Sequence, residues 1–281
     1  MPSLKFAWSS PASRGDLVQV VGPKQSGRSA IVLHITLSYL LQHPHVKATF
    51  LHTFPAFEPL AFRARDLLQD LVARAIQRGD RFERDGVPLD IDQVAISVLE
   101  RLNCTRVLTA AEALASLESE IALSKESPDN WKLSIVIIDS IEVLLGGDAV
   151  QSSSAEGHAI MVDFMARLKA FSKDPALPFT AFLVNSLRST SQQASAGTAV
   201  SQLPVKQPVK PCLGATFAHM VDATLWTTKV DKAAFKMPIS SQEIKDNTDM
   251  FIIELVKDKG ASAGDWTGFR LINGTRIEAL K

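Results

Sequence analysis

The sequence has few cysteines, and they are not paired. Cys104 and Cys212 are the two in 281 residues, and neither belongs to a C-x-x-C motif. Cysteine-based zinc sites need such pairs, so we expect neither zinc nor haem in this protein. Two isolated thiols also favour a reducing, intracellular environment over an oxidising one.

The sequence also lacks an excess of charge and a long apolar run. The 30 lysines and arginines balance 30 aspartates and glutamates. No global positive field attracts nucleic acid, so any contact with DNA must be local. No apolar run reaches the roughly 18 residues of a membrane span, and residues 1–15 lack the pattern of a secretory signal. We therefore expect no membrane partner.

Short apolar runs alternate with longer helical patterns through most of the chain. This alternation predicts an α/β fold with a mostly parallel central sheet flanked by helices. Toward the end the pattern changes to consecutive strands, and Asn273-Gly274 is a hairpin signal between the last two. We therefore predict one core over residues 16–281 with a C-terminal antiparallel extension, preceded by a short segment over residues 1–15.

A glycine-rich stretch follows the first predicted strand and precedes the first predicted helix. It matches the phosphate-binding motif G-x-x-x-x-G-K-[ST] except at one position. In such a loop, backbone N–H groups and the helix N-terminus bind phosphate, and the final hydroxyl binds Mg²⁺. The predicted nucleotide-binding residues are Gly22, Pro23, Lys24, Gln25, Ser26, Gly27, Arg28 and Ser29.

The exception is Arg28, which stands where the motif has lysine. Arginine keeps the charge, but its planar guanidinium is bulkier and has a different donor geometry. We therefore predict weakened nucleotide binding and impaired hydrolysis. Lys24 within the loop is a candidate for compensation. The alternative interpretation is a glycine turn that binds no ligand.

Asp139 ends the most continuous apolar strand of the sequence, residues 131–139. An acid at this place is the usual magnesium-binding partner of a phosphate loop. We predict that Ser29 and Asp139 would hold Mg²⁺ with a bound nucleotide such as ATP. We also expect the loop and Asp139 to lie at adjacent strand tips.

The order of these motifs resembles that of the RecA/RadA-like recombinases and their eukaryotic paralogues, over about residues 14–280. The Asp139 strand and the strand ending in Phe182-Leu183-Val184-Asn185 carry the resemblance further. The chain is most similar to the short paralogues, such as subunits of the Shu complex. The resemblance implies a RecA-like core, a nuclear protein of homologous recombination, a second RecA-like paralogue as partner, and single-stranded DNA as a weak ligand.

The resemblance also implies that two further site positions are altered. The family places a catalytic glutamate just after its second strand, where this chain has Phe54. Glu58 is the nearest acid and the candidate replacement, although an acid at a helix start has an ordinary structural role. A nucleotide-sensing glutamine follows Asn185 in the family, and Ser186 stands there instead.

The family binds DNA through two loops, which correspond here to residues 146–157 and 188–211. The first is nearly free of cations. The second is rich in Ser, Gln, Ala, Gly and Pro, which predicts either a functional or a disordered connection. Its candidate DNA-binding residues are Arg188, Lys206 and Lys210. Phe6, Ala7 and Trp8 predict either docking to a partner subunit or packing on the chain's own core.

Four functions stay open at this level. The first is a recombination mediator with a degenerate nucleotide site and partner-dependent DNA binding. The second is an active DNA-dependent ATPase in which Arg28 and Glu58 substitute for the usual groups. The others are a scaffold with an empty phosphate loop and a small-molecule kinase. The absence of an arginine-rich lid and the C-terminal strands argue against the kinase.

Overall fold

We analysed a computed structural model of the chain. It describes residues 15–55, 58–84, 86–126, 131–146, 155–189, 209–230, 249–258, 265–272 and 276–279. Phe6, Ala7, Trp8 and Lys206 lie outside the described residues, so the expectations attached to them stay predictions.

The strands follow the apolar runs of the sequence closely. In chain order they are β1 (Leu17–Gly22), β2 (Val46–His52), β3 (Glu83–Arg84), β4 (Val87–Pro88), β5 (Leu102–Arg106), β6 (Lys132–Asp139), β7 (Thr180–Ser189), β8 (Val209–Pro211), β9 (Ala223–Lys229), β10 (Asp249–Asp258), β11 (Trp266–Ile272) and β12 (Arg276–Ala279).

The helices fill the intervals between the parallel strands. They are α1 (Arg28–Gln42), α2 (Glu58–Gln77), α3 (Ile91–Leu99), α4 (Ala110–Glu126), α5 (Ile141–Leu144), α6 (Ala155–Ser172) and α7 (Gly214–Met220). Asp90 and Gln93 form a reciprocal capping box at the start of α3.

One large sheet organises the chain, in the order β12-β11-β10-β9-β1-β7-β6-β2-β5, with β8 paired to β7. In the part of the sheet that runs β9-β1-β7-β6-β2-β5, all neighbouring strands are parallel. Strands β10, β11 and β12 continue the sheet in antiparallel pairing. This confirms the predicted α/β fold with its C-terminal antiparallel extension, an arrangement consistent with a RecA-like core.

Two apolar layers cover the two faces of the sheet. One contains residues of α1, α2 and α3 packed on the strands, and it extends to Phe269 and Ile277 of the antiparallel strands. The other contains residues of α4, α6 and α7. Because the parallel strands are covered on both faces, their carboxyl ends form an edge where polar side chains can converge.

At the edge where the parallel strands begin, buried charged groups have hydrogen-bond or ion-pair partners. Arg101, 5% exposed, donates to the carbonyl oxygens of Leu40, His43 and Val46 at 2.7 to 3.1 Å. Asp222, also 5% exposed, pairs with Lys169 and accepts the backbone N–H of Leu17 at 2.9 Å. These contacts hold the starts of β1, β2 and β5 to the surrounding helices.

The region after β7 differs from the prediction. The strand was expected to end at residue 185, but it continues to Ser189 and pairs with β8, so residues 186–189 and 209–211 are strand rather than loop. Residues 209–211 form β8, which pairs with β7, and α7 begins at Gly214.

Candidate nucleotide site

The phosphate loop lies between β1 and α1, as predicted. Gly27 caps α1 with a φ of 79°, and Gln25 has a φ of 61°. Two left-handed residues on either side of Ser26 turn successive backbone N–H groups toward one side, which is the geometry of an anion-binding nest. A non-glycine residue such as Gln25 rarely adopts this conformation, and such residues cluster at functional sites. The backbone therefore fits a bound phosphate group.

Close packing against β9 fixes the base of this loop. A Cβ atom on Gly22 would lie 2.6 Å from the carbonyl oxygen of Thr227 and closer still to the Thr227 and Ser26 hydroxyls. Ser26 is fully buried, and its hydroxyl bonds that of Thr227 at 2.7 Å. By contrast, Pro23, Lys24 and Gln25 are exposed at the crown of the loop. Gly22 is thus required by sterics, independently of any ligand.

Asp139 ends β6, but β6 is not the strand next to β1, which carries the loop. The expected adjacency is wrong, because β7 pairs with both β1 and β6 and lies between them. The two places are nevertheless close, since the Ser29 side chain is near enough to the Asp139 carboxylate to lower its pKa. The central position of β7 therefore puts its tip, residues 185 and 186, between the loop and the acid.

Burial dominates the electrostatics of Asp139, which is 6% exposed. Its pKa is raised to about 6 overall, because desolvation and the nearby Glu142 raise it more than Ser29 and Arg28 lower it. Its Oδ2 atom has no hydrogen-bond partner within the described part of the chain. A buried, unsatisfied carboxylate oxygen costs free energy unless a cation or donor completes it.

Arg28 extends from the start of α1 to the tip of β7. Its Nη1 donates to the carbonyl oxygen of Asn185 at 2.5 Å and to the Ser186 hydroxyl at 3.0 Å. The guanidinium is therefore held by the protein itself, over a sequence separation of 157 residues. This is the different donor geometry that the replacement of lysine by arginine implies.

Glu142 is a site residue that the sequence analysis missed. It lies in the single turn of α5, is 9% exposed, and accepts the hydroxyl proton of Ser186 through Oε1. Its Oε2 atom has no partner among the residues that the structure describes. An acid three residues after Asp139 was the available signal, but one short turn leaves no periodic pattern. Arg28, Ser186 and Glu142 thus form a hydrogen-bonded chain, which we call the Arg28 relay.

Aromatic rings occupy the place where the family's catalytic glutamate would follow β2. His52 lies opposite Asp139 in the β2–β6 register and is 2% exposed. Its ring stacks on Phe54 with centroids 4.4 Å apart, and burial lowers its pKa. Glu58 begins α2, but its side chain lies outside the described residues. Its proposed role therefore stays a prediction.

The proposed DNA-binding cations belong to the β7–β8 region. Arg188 and Lys210 are opposite each other in the antiparallel register. Their side chains, like all of Lys206, lie outside the described residues. The backbone thus places two of the three predicted cations at opposite positions of this strand pair, and their binding to DNA stays a prediction.

The donor set at this edge fits Mg²⁺ with a nucleotide better than it fits a metal bound by protein alone. Mg²⁺ prefers oxygen ligands and is commonly held by one or two carboxylates together with substrate phosphates. Asp139 and Ser29 provide a carboxylate and a hydroxyl that lie close together. In the described ranges, no group of three or more His, Cys, Asp or Glu side chains could hold a metal ion. Phosphate oxygens would have to complete the coordination.

No family model matches this chain, and no curated protein matches its sequence. None of the helices in the described part of the chain has both the length and the apolar character needed to cross a membrane.

Proposed function

We propose that this protein is a nucleotide-binding accessory subunit of the RecA-like recombinase class, acting as a mediator in homologous recombination rather than as an efficient ATPase. One observation carries the proposal. Ser29 and Asp139, the pair that would bind Mg²⁺, lie close together, whereas Nη1 of Arg28 is held by the tip of β7.

The binding half of the proposal depends on the loop and the Ser29–Asp139 pair. The backbone N–H groups of residues 22–29 and the N-terminus of α1 would hold the phosphates of ATP. Ser29 and Asp139 would hold Mg²⁺, which neutralises phosphate charge when bound. The unpartnered Oδ2 of Asp139 supports this assignment, because a cation there would satisfy it.

The part of the proposal that predicts slow turnover depends on two residues, Phe54 and Arg28. Phosphoryl transfer relies on positioning and electrostatic stabilisation, and loss of one preorganised group costs about 10²- to 10³-fold in rate. Phe54 stacks on His52 at the position of the water-activating carboxylate. Nη1 of Arg28 would have to leave two hydrogen-bond acceptors to donate to an outer phosphate. Bound nucleotide would therefore be structural or regulatory.

The recombination role, the RecA-like paralogue as partner and the nuclear location rest on the resemblance of the motif order. The mostly parallel sheet with its antiparallel extension supports that resemblance. Single-stranded DNA would bind weakly through Arg188, Lys206 and Lys210. Three dispersed cations predict a shallow salt dependence, with a slope of roughly −2 on a logarithmic plot. A partner subunit that extends the groove would strengthen the binding.

Calorimetric titration with ATP and Mg²⁺, together with turnover measured with and without single-stranded DNA, tests the proposal. We expect saturable binding, loss of binding in Asp139→Ala, and negligible turnover that DNA does not stimulate. DNA-stimulated hydrolysis that is lost in both Arg28→Ala and Asp139→Ala would instead indicate an active ATPase. No binding at all would indicate a scaffold. Affinity capture from cell extract should recover a second RecA-like chain.

A further inference from the structure

The Arg28 relay lies at the position that meets the outer end of a bound phosphate chain. In a loop of this type, the residue before the final Ser or Thr extends to the β- and γ-phosphates, and that Ser or Thr binds the Mg²⁺ beside them. Here the first residue is Arg28 and the second is Ser29, which lies close to Asp139. The groups that hold the Arg28 guanidinium therefore form the wall nearest the terminal phosphate.

That wall carries more negative than positive charge. Glu142 accepts from Ser186, which in turn accepts from Arg28. Asp139 is close enough for Glu142 to raise its pKa and for Arg28 to lower it. Two buried carboxylates thus lie near one guanidinium that bonds neither of them directly, and one oxygen of each carboxylate has no partner within the described residues. Mg²⁺ at Ser29 and Asp139 would compensate Asp139 but not Glu142.

We propose that this wall makes the site selective for nucleoside diphosphates over nucleoside triphosphates, with Glu142 as the specificity-determining residue. The inference rests on the proposed nucleotide-binding function. A diphosphate would fill the cradle of residues 22–29 and end before the relay. A third phosphate would bring additional negative charge toward the Glu142 carboxylate, while Arg28 stays bonded to Asn185 and Ser186.

The expected size of the selectivity follows from the charges. Unit charges several ångströms apart in a partly buried site, at an effective dielectric constant near 20, change a dissociation constant by about tenfold to a hundredfold. We therefore expect ADP to bind at least about tenfold more tightly than ATP when Mg²⁺ is saturating.

Calorimetric titration of the full chain with ADP and with ATP, both with Mg²⁺, tests this selectivity. Chromatography of the recovered ligand checks that the ATP stays intact. Glu142→Gln keeps the size of the side chain and an acceptor for Ser186 but removes its charge. We expect this variant to bind ATP about tenfold more tightly and ADP almost unchanged. Glu118→Gln removes the same charge from an exposed side chain on α4 and should leave both affinities unchanged.

A second variant keeps the test valid if Glu142→Gln unfolds at a lower temperature than the wild type. Ser186→Ala retains every charge but removes one acceptor of Arg28. The guanidinium is then freer to bind a third phosphate, and we expect ATP affinity to rise about twofold to tenfold, the effect of one hydrogen bond.

The outcomes separate this inference from the proposed function. Wild-type protein that binds ATP as tightly as ADP, or more tightly, overturns the diphosphate preference and leaves nucleotide binding intact. An ADP preference that is unchanged in both Glu142→Gln and Ser186→Ala overturns the assignment to Glu142 and the relay. Binding of neither nucleotide contradicts the proposed function itself.

Discussion

Buried charged groups have different surroundings at the two edges of the parallel sheet. At the amino-terminal edge, Arg101 donates to three backbone carbonyl oxygens, and Asp222 pairs with Lys169. At the carboxyl-terminal edge, Asp139 and Glu142 are equally buried, yet one oxygen of each lacks a partner among the described residues. At the first edge, the chain itself supplies partners for the buried charges. At the second, carboxylate oxygens are left unsatisfied, as expected of a ligand site.

Removing Arg101 should give the largest loss of stability. Arg101→Met leaves the carbonyl oxygens of Leu40, His43 and Val46 without their donor at a buried edge. We expect the free energy of unfolding to fall by about 3 to 4 kcal/mol, measured by denaturant titration. Arg78→Met, at an exposed ion pair, is the control and should change it by less than about 0.5 kcal/mol. Equal effects of the two substitutions would contradict the role assigned to this edge.

Breaking the ion pair at the same edge should cost somewhat less. Lys169→Met removes the ammonium group that pairs with the buried Asp222 carboxylate. We expect a loss of about 3 kcal/mol, because a buried charge loses its compensation. The double variant Lys169→Met, Asp222→Asn should regain part of this loss. A double-mutant cycle without coupling would show that the pair is not a unit.

At the carboxyl-terminal edge we expect that removing a buried charge raises the free energy of unfolding instead of lowering it. The pKa of Asp139 is raised to about 6 in the folded state, so the folded protein binds that proton more tightly than the unfolded chain does. Its contribution to stability is therefore present at low pH and lost as the pH rises from about 4 to 6. Asp139→Asn should raise the free energy of unfolding at pH 8 by about 2 kcal/mol while abolishing Mg²⁺-dependent nucleotide binding. Destabilisation at pH 8 would contradict this account.

The smallest effect should come from Asn185 at the tip of β7. Its side chain is fully buried, and neither amide atom has a hydrogen-bond partner within the described residues. Asn185→Leu has a similar size and removes both unsatisfied groups. We expect the free energy of unfolding to rise by about 1 kcal/mol. A fall of that size would show that the amide is satisfied by ordered water.

The sequence predicted the parts of the site that depend on local pattern. The glycines at 22 and 27, Ser29 and the end of β6 at Asp139 all follow from short motifs next to apolar runs. The parallel sheet follows for the same reason, because alternating apolar runs and helices leave few other arrangements.

The parts that the sequence concealed depend on contacts between distant segments. Nothing local to Arg28 indicates that its guanidinium bonds the tip of β7, 157 residues away. The position of β7 between β1 and β6 is a matter of strand order, which the motifs do not encode. Glu142 was missed because a single helical turn carries no periodicity.

The bond between Ser26 and Thr227 has a consequence for how the protein is made. It joins residues 201 positions apart, and Thr227 also supplies the surface on which Gly22 packs. During synthesis, the glycine-rich turn therefore leaves the ribosome well before its supporting strand β9 is translated. The phosphate cradle stays incomplete until those 201 further residues have been made.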